Sequence, residues 1–232
     1  PNTPSALIAV PSPDKDYAYL SCGTWSLLGI ESPTAIINDL SRQYNFTNEG
    51  GIDGTTRFLK NICGMWIFEE CRKEFKNVPA DISALAALCL DSDCDTIINP
   101  DDPTFAHPAS MTAAIDDYCL KTGQAKPETP ADYIRVIYRS LAQRYTTILD
   151  WLRQLSPVEI KRLHVIGGGS LNKYLMQDTA NELGIPVVAG PTECTALGNV
   201  LVQLKASGAL KSLDDMRRVA INSTETKTYN PK

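Results

Sequence analysis

Apolar residues recur at positions 134, 137, 138, 141, 145, 148, 149 and 152 of TPADYIRVIYRSLAQRYTTILDWLRQL (129–155). Steps of three and four place them on one side of a helix, and Pro130 and Asp132 sit where a first helical turn favours them. Downstream the rhythm changes. RLHVIGGG (162–169) predicts a strand and turn, SLNKYLMQDTANELG (170–184) a helix, IPVVAGP (185–191) another strand and turn, and ECTALGNVLVQLKASG (193–208) another helix. This β-α-β-α alternation predicts an α/β layer with a buried sheet. A short helix follows over SLDDMRRVA (212–220), and TKTYNPK is expected to fray.

The amino-terminal half is less regular. ALIAV (6–10) and YAYLSC (17–22) are short apolar runs separated by PSPDKD, which predicts a hairpin, and TWSLLGIE (24–31) predicts a third strand. AIINDLS (35–41) fits neither period, and NFTNEGGIDGTT (45–56) predicts a loop. RFLKNICGMWIFEECRKEF (57–75) has apolar residues at 58, 59, 62, 65, 66 and 68, which predicts a helix. Gly64 interrupts it at a cost of about 1 kcal/mol relative to Ala, so close packing or a nearby ligand is expected there. Helices are predicted over ADISALAALCL (80–90) and over MTAAIDDYCLKTG (111–123), the second ended by Gly123. The Pro-rich NPDDPTFAHP (99–108) is a loop between them.

Composition narrows the possibilities. The chain has 232 residues, 43% hydrophobic and 21% charged, which suits a globular protein with a full core. A net charge of −5 argues against a nucleic-acid surface. No apolar run approaches the roughly 20 residues that span a bilayer, so no membrane association is expected. The seven cysteines contain no CxxC pair and are joined by only two histidines, so zinc spacings are absent, no metal ligands are assigned, and reduced thiols in a cytoplasmic protein are expected. The chain opens PNTPSAL without Met, which reads as the interior of a longer polypeptide.

Four stretches can carry chemistry. Gly167, Gly168 and Gly169 lie between a strand and a helix, where α/β folds bind ligands and where a missing Cβ lets a flat group approach the backbone. The stretch matches neither a complete G-x-x-x-x-G-K-[ST] nor G-x-G-x-x-G pattern, so a tight structural turn explains it equally well. In SCGTWS (21–26), the Gly23 N–H and the Thr24 hydroxyl can cradle a phosphate, although a plain turn has the same composition. Glu49 in TNEGG can face a ligand and Asn61 can bond a sugar hydroxyl, or both can be solvated polar residues. The small residues of ECTALGNV suit helix packing or contact with an adenine ring. No G-x-G-x-x-G strand with a later ribose-binding acid is present, which argues against a Rossmann dehydrogenase.

Taken in order, AYLSCGTWSLLGIE, TNEGG, FLKNICGMW, IINPDDPTF, HVIGGGSLNKYLMQ and VVAGPTECTALGN resemble the carboxy-terminal domain of the FGGY carbohydrate kinases over essentially the whole chain. The blocks most resemble the family's deoxy-ketose kinases, with L-rhamnulose as the implied sugar and L-fuculose as the near alternative. The resemblance implies an α/β, actin-like (ribonuclease-H-like) ATPase lobe, a mixed β-sheet flanked by helices, with residues 1–232 forming the carboxy-terminal lobe. It implies ATP and Mg²⁺ as cofactors, and an amino-terminal lobe, absent from this chain, as the partner across the cleft.

The family motifs map onto individual residues. The resemblance implies nucleotide contacts for Gly23, Thr24, Glu69, Gly168 and Asn172, with Thr24 at the phosphates, Gly168 against the adenosine and Asn172 near the adenine. It implies sugar contact for Asn61. The family's base is an Asp in a block resembling HDTASAV; the matching stretch here is PNTPSAL, which puts Asn2 at the Asp position and Thr3 after it as substrate-side residues. An amide does not take a proton at neutral pH as a carboxylate does. Asn2 therefore keeps open a second reading, a non-catalytic nucleotide- or sugar-binding homologue.

Overall fold

The computed structural model describes residues 3–232. In chain order the elements are α1 (Thr3–Ile8), β1 (Tyr17–Cys22), β2 (Trp25–Ser32), α2 (Asp39–Gln43), β3 (Thr47–Gly50), β4 (Thr56–Cys63), α3 (Trp66–Glu74) and α4 (Ile82–Ala87). They continue with α5 (Met111–Thr122), α6 (Pro130–Leu155), β5 (Arg162–Ile166), α7 (Lys173–Leu183), β6 (Val187–Ala189), α8 (Cys194–Ala206), α9 (Leu213–Ser223) and β7 (Lys227–Tyr229). The strands form one mixed sheet in the order β3-β4-β2-β1-β5-β6-β7. β1 and β5 are parallel at its centre, with Leu20 opposite Val165, and β5 continues parallel to β6. The outer pairings, β1 with β2, β2 with β4, β3 with β4 and β6 with β7, are antiparallel.

Alternation along the strands supplies two cores. Leu20, Leu28 and Val165 face the side covered by α3, α5, α6 and α7, whereas Tyr19, Leu59 and Ile166 face α1, α8 and α9. The long helix α6 begins as its sequence predicts: the Thr129 side chain accepts from the Asp132 N–H, and the Asp132 carboxylate returns the bond to the Thr129 N–H. α5 ends at Gly123, whose φ of 70° is open to glycine at little cost.

Four expectations need correction. ALIAV lies in and just beyond helix α1, not in a strand: all five residues are buried, and the helix seats against α8, where a Cβ on Gly198 would lie 1.7 Å from the Ser5 carbonyl oxygen. A five-residue apolar run carries no period to separate helix from strand. Residues 57–75 divide into strand β4 and helix α3. β4 is paired on both edges, and Phe58 and Leu59, on opposite faces, are both fully buried, so alternation is lost. The expected loop at 45–56 contains strand β3, where Glu49 pairs with Arg57 at 2.6 Å. The tail forms β7, with Tyr229 buried against the core. The seven cysteines are all free thiols.

His164, just before the glycines, is 2% exposed and neither ring nitrogen is hydrogen-bonded among the described residues. Its ring meets Tyr17 edge-on at 5.0 Å. Burial first, then the positive charges of Arg162 and Arg217, push its pKa down to about 4, against a weak opposing effect of Asp16. An unfolded histidine titrates near 6.5. Between those values the unfolded chain binds a proton that the folded chain does not, so stability falls as pH drops from about 6.5 to about 4, by at most about 3 kcal/mol. Urea unfolding across this range is expected to give a shallower acid-side loss for His164→Gln than for the unaltered chain; superimposable profiles would exclude His164 as the titrating group.

Candidate functional site

β1 and β5 run side by side in the same direction, so their carboxyl ends open onto one edge of the sheet, the position where α/β sheets bind ligands. The backbone is crowded there. Gly167 has φ 87°, and a Cβ on it would lie 2.9 Å from the Cys22 carbonyl oxygen. A Cβ on Gly169 would lie 2.2 Å from Cys22 Sγ. Gly168, between them, has nothing within 4 Å of its Cβ position and faces open space. The three glycines therefore do different work: the outer two let the turn close on β1, and the middle one leaves a bare backbone surface.

The neighbouring turn is fixed just as tightly. A Cβ on Gly64 would come within 2.7 Å of the Gly23 carbonyl oxygen and of Ser26 Oγ. The Met65 N–H donates to Gly23 O at 2.9 Å and the Trp66 N–H to Thr24 O at 3.1 Å, tying the start of α3 to this turn. Close packing, one of the two reasons foreseen for Gly64, holds even though the residue lies between strand and helix. The Gly23 N–H donates to Trp25 O at 3.0 Å, so it is not free for a phosphate as expected. Thr24 is left exposed on the turn.

Between these two turns lies a cleft of about 550 Å³, lined by Gly23, Thr24, Glu69, Gly168 and Asn172 among others. All five residues assigned to nucleotide contact thus meet in one place. Ile82 and Leu171, respectively 50% and 74% exposed, also line it and provide apolar surface suited to a flat ring. Lys173 adds a positive charge. Glu69 is held by Arg72 at 2.6 Å, one turn along α3. Asn172 caps α7, its Oδ1 accepting from the Leu175 N–H at 3.1 Å.

Asn61 lies elsewhere. It lines a second cleft of about 440 Å³ together with Trp25, Lys60, Asp101 and Arg144, and Thr24 is shared by both clefts. Asp101 anchors this second cleft: Oδ1 accepts from the Cys63 N–H at 2.8 Å and Oδ2 from Arg144 at 2.7 Å. Burial, reinforced by Arg144, lowers the pKa of Lys60. Thr3 opens α1, but its side chain, like all of Asn2, lies outside the described residues. The small residues of ECTALGNV serve helix packing of α8 on α1. Glu49 is engaged by Arg57 on the edge strand.

Sequence reasoning missed Tyr138, Ile82 and Leu171 as lining residues. Tyr138 is one apolar-stripe member of α6 among many, and nothing in its spacing marks it. The exposed Leu171 directly after GGGS is the one signal that was readable.

The model of the FGGY family of carbohydrate kinases, C-terminal domain, matches residues 18–207. A rhamnulokinase from Bacteroides thetaiotaomicron is 48% identical over 234 residues, which cover 100% of this chain and 47% of the relative. One from Enterobacter sp. (strain 638) is 42% identical, covering 99% and 47%. The chain thus spans about half the length of the curated relatives it matches. Among solved structures, gluconate kinase from Lactobacillus acidophilus superimposes with a TM-score of 0.70 at 12% identity, over 100% of this chain and 46% of that one. Plasmodium falciparum glycerol kinase with ADP gives 0.70 at 16%, again over 100% and 46%. The fold is that of an actin-like ATPase lobe, as the sequence blocks implied.

The division of labour among the glycines is testable by thermal and urea unfolding. Gly169→Ala is expected to destabilise the chain by about 1–3 kcal/mol, because the new methyl meets the buried Cys22. Gly168→Ala is expected to stay within about 0.5 kcal/mol of the unaltered chain. Equal losses at both positions would mean that the turn is crowded throughout.

Proposed function

We propose, proceeding from the fact that the chain belongs to the FGGY family of carbohydrate kinases, that it is the ATP-binding lobe of a kinase that phosphorylates L-rhamnulose to L-rhamnulose 1-phosphate in deoxy-sugar catabolism. The observation that carries this reading is the convergence of Thr24, Glu69, Gly168 and Asn172 on one cleft. The similarity to rhamnulokinases at 42–48% identity supports the choice of sugar.

In this reading the base lies between Ile82 and Leu171, the bare backbone at Gly168 lies against the nucleoside, and the phosphates extend to Thr24. Glu69 is placed for a ribose hydroxyl. Because Thr24 borders both clefts, a phosphoryl group held there stands next to the region of Asn61, where the sugar is placed. Among the described residues no group of three or more His, Cys, Asp or Glu side chains converges as a metal site. Mg²⁺ would then be held by the phosphates and water, where it neutralises charge. An amino-terminal lobe completes the sugar pocket, and the protein works in the cytoplasm. No helix among the described residues is long and apolar enough to cross a membrane.

Calorimetric titration of the chain with MgADP tests the nucleotide assignment. Binding is expected, and Gly168→Val is expected to weaken it at least about tenfold by filling the bare surface; no binding by the unaltered folded chain would overturn the assignment. The isolated chain is expected to show no sugar-dependent ATP turnover. In the two-lobed protein, Asn2→Asp is expected to raise L-rhamnulose phosphorylation by about 10²–10⁴-fold, the contribution of a positioned base. Equal turnover with Asn and Asp would place the base elsewhere.

A further inference from the structure

The second cleft lies at a gap in the sheet. β2 runs beside β4 as far as Cys63, but β3 pairs with β4 only as far as Leu59. Among the described residues, positions 60–63 of β4 therefore have a strand on one side only. The chain turns just before β3 begins, at Asn45, which has φ 55°. Asn61, the residue assigned to the sugar, stands within this half-paired stretch and is exposed in the cleft. A strand end without a neighbour leaves backbone groups unpaired and is free to fray. A side chain on it holds a ligand in fixed geometry only if something else holds the strand.

Asp101 holds it. Its Oδ1 accepts from the Cys63 N–H at 2.8 Å, a bond of the kind a neighbouring strand would supply. Its Oδ2 accepts from Arg144 Nε at 2.7 Å, and Arg144 Nη2 lies at 2.7 Å from the same oxygen. Hydrogen bonds to a carboxylate are among the strong ones. These link the 99–108 segment, the edge of β4 and helix α6 through one side chain. Arg144 is itself held over the Trp151 ring, 5.2 Å from its centre, and Tyr44 stacks on that ring at 4.7 Å. On the other flank of Asn61 the Lys60 ammonium donates to Tyr44 O at 2.9 Å. Asn61 is thus bracketed, by the Lys60 side chain before it and by the Cys63 N–H beyond it.

We infer that Asp101 is a positioning residue for the sugar: its carboxylate takes the place of the missing strand and, by tying the Cys63 N–H to Arg144, fixes the end of β4 from which Asn61 reaches the substrate. This rests on the placement of the sugar in the second cleft and adds the residue that fixes one wall of it. An amide at position 101 keeps one oxygen for Cys63 but turns an –NH₂ toward Arg144, a donor against a donor. Neither Asp101, Asn61 nor Arg144 lines the nucleotide cleft, so a loosened edge is felt by the sugar and not by the nucleotide.

The test is calorimetry on the two-lobed protein, with L-rhamnulose and separately with MgADP. The unaltered protein, Asp101→Asn, Asn61→Ala and their double variant are compared, with thermal unfolding of each. Binding, unlike turnover, needs no base. Asp101→Asn is expected to weaken L-rhamnulose binding about five- to tenfold and to leave MgADP affinity within about twofold. Asn61→Ala is expected to weaken the sugar about tenfold, and the double variant no more than Asn61→Ala alone, because Asp101 acts through Asn61. Arg144→Met keeps apolar contact with Trp151 and frees Asp101 Oδ2; it is expected to show the same sugar-only loss, and it decides the matter if Asp101→Asn does not fold. Sugar binding as tight as in the unaltered protein, equal losses of sugar and MgADP, or fully additive losses in the double variant would each overturn the inference while leaving the sugar in the second cleft. Unchanged sugar binding by Asn61→Ala, or none by the unaltered protein, would overturn the placement of the sugar as well.

Discussion

The carboxyl ends of β1 and β5 approach so closely that side chains have no room between them, and the rest of the site depends on that approach. Cys22 at the end of β1 occupies the space into which a Cβ on Gly167 or Gly169 would project. One turn away, Gly64 meets the Gly23 carbonyl under the same constraint. Parallel pairing of β1 with β5 fixes where the two turns begin, and glycine is what allows them to close. The outcome is a pair of rigid backbone edges, one ending at Thr24 and one at Gly168, with a cleft between them. Rigidity of this kind needs no ligand to organise it, which keeps the ordering cost of binding low.

The same crowding places the helices. α3 starts where it does because Met65 and Trp66 donate to the carbonyls of the β1–β2 turn, which in turn directs Glu69 into the cleft. α7 starts at Asn172 because the short turn after Gly167 runs out and a side-chain oxygen is needed to take over the first free N–H groups. A residue that serves as a cap has one end fixed. Helix initiation thus engages Asn172 Oδ1 at the rim of the cleft without a dedicated supporting loop.

Local rules were sufficient wherever an element has a single buried face or a capping residue. α6, α5 and the β-α-β-α unit from 162 to 208 follow from spacing, Thr129, Gly123 and the glycine turn. They fail where tertiary contacts bury a segment on all sides. β4 sits between two strands with both faces covered, so FLKNIC shows no alternation, and the apolar spacing that continues into α3 imitates one long helix. β3 and β7 are short edge strands with mixed composition, and only their partners make them strands. In the site, the glycines were legible because backbone geometry demands that residue type, whereas Asn172 entered only through the family resemblance and its cap was not read. Tyr138 was not, since a core tyrosine and one that borders a cleft read identically along a helix stripe.

Binding and turnover are separable in such an arrangement. The cleft proposed for the nucleotide is built, among the described residues, from backbone approach, the Asn172 cap and the apolar pair Ile82 and Leu171. An amide at position 2, in place of the carboxylate that the resemblance implies, does not accept a proton at neutral pH. Under the proposed reading, selection for nucleotide affinity would retain Gly167, Gly168, Gly169 and Asn172 whether or not a base is present at position 2. α1 packs on α8 at Gly198, within the second core of the sheet. α1 and the cleft thus draw on different halves of the interior, α1 on the core shared with α8 and α9 and the cleft on the core shared with α3, α6 and α7.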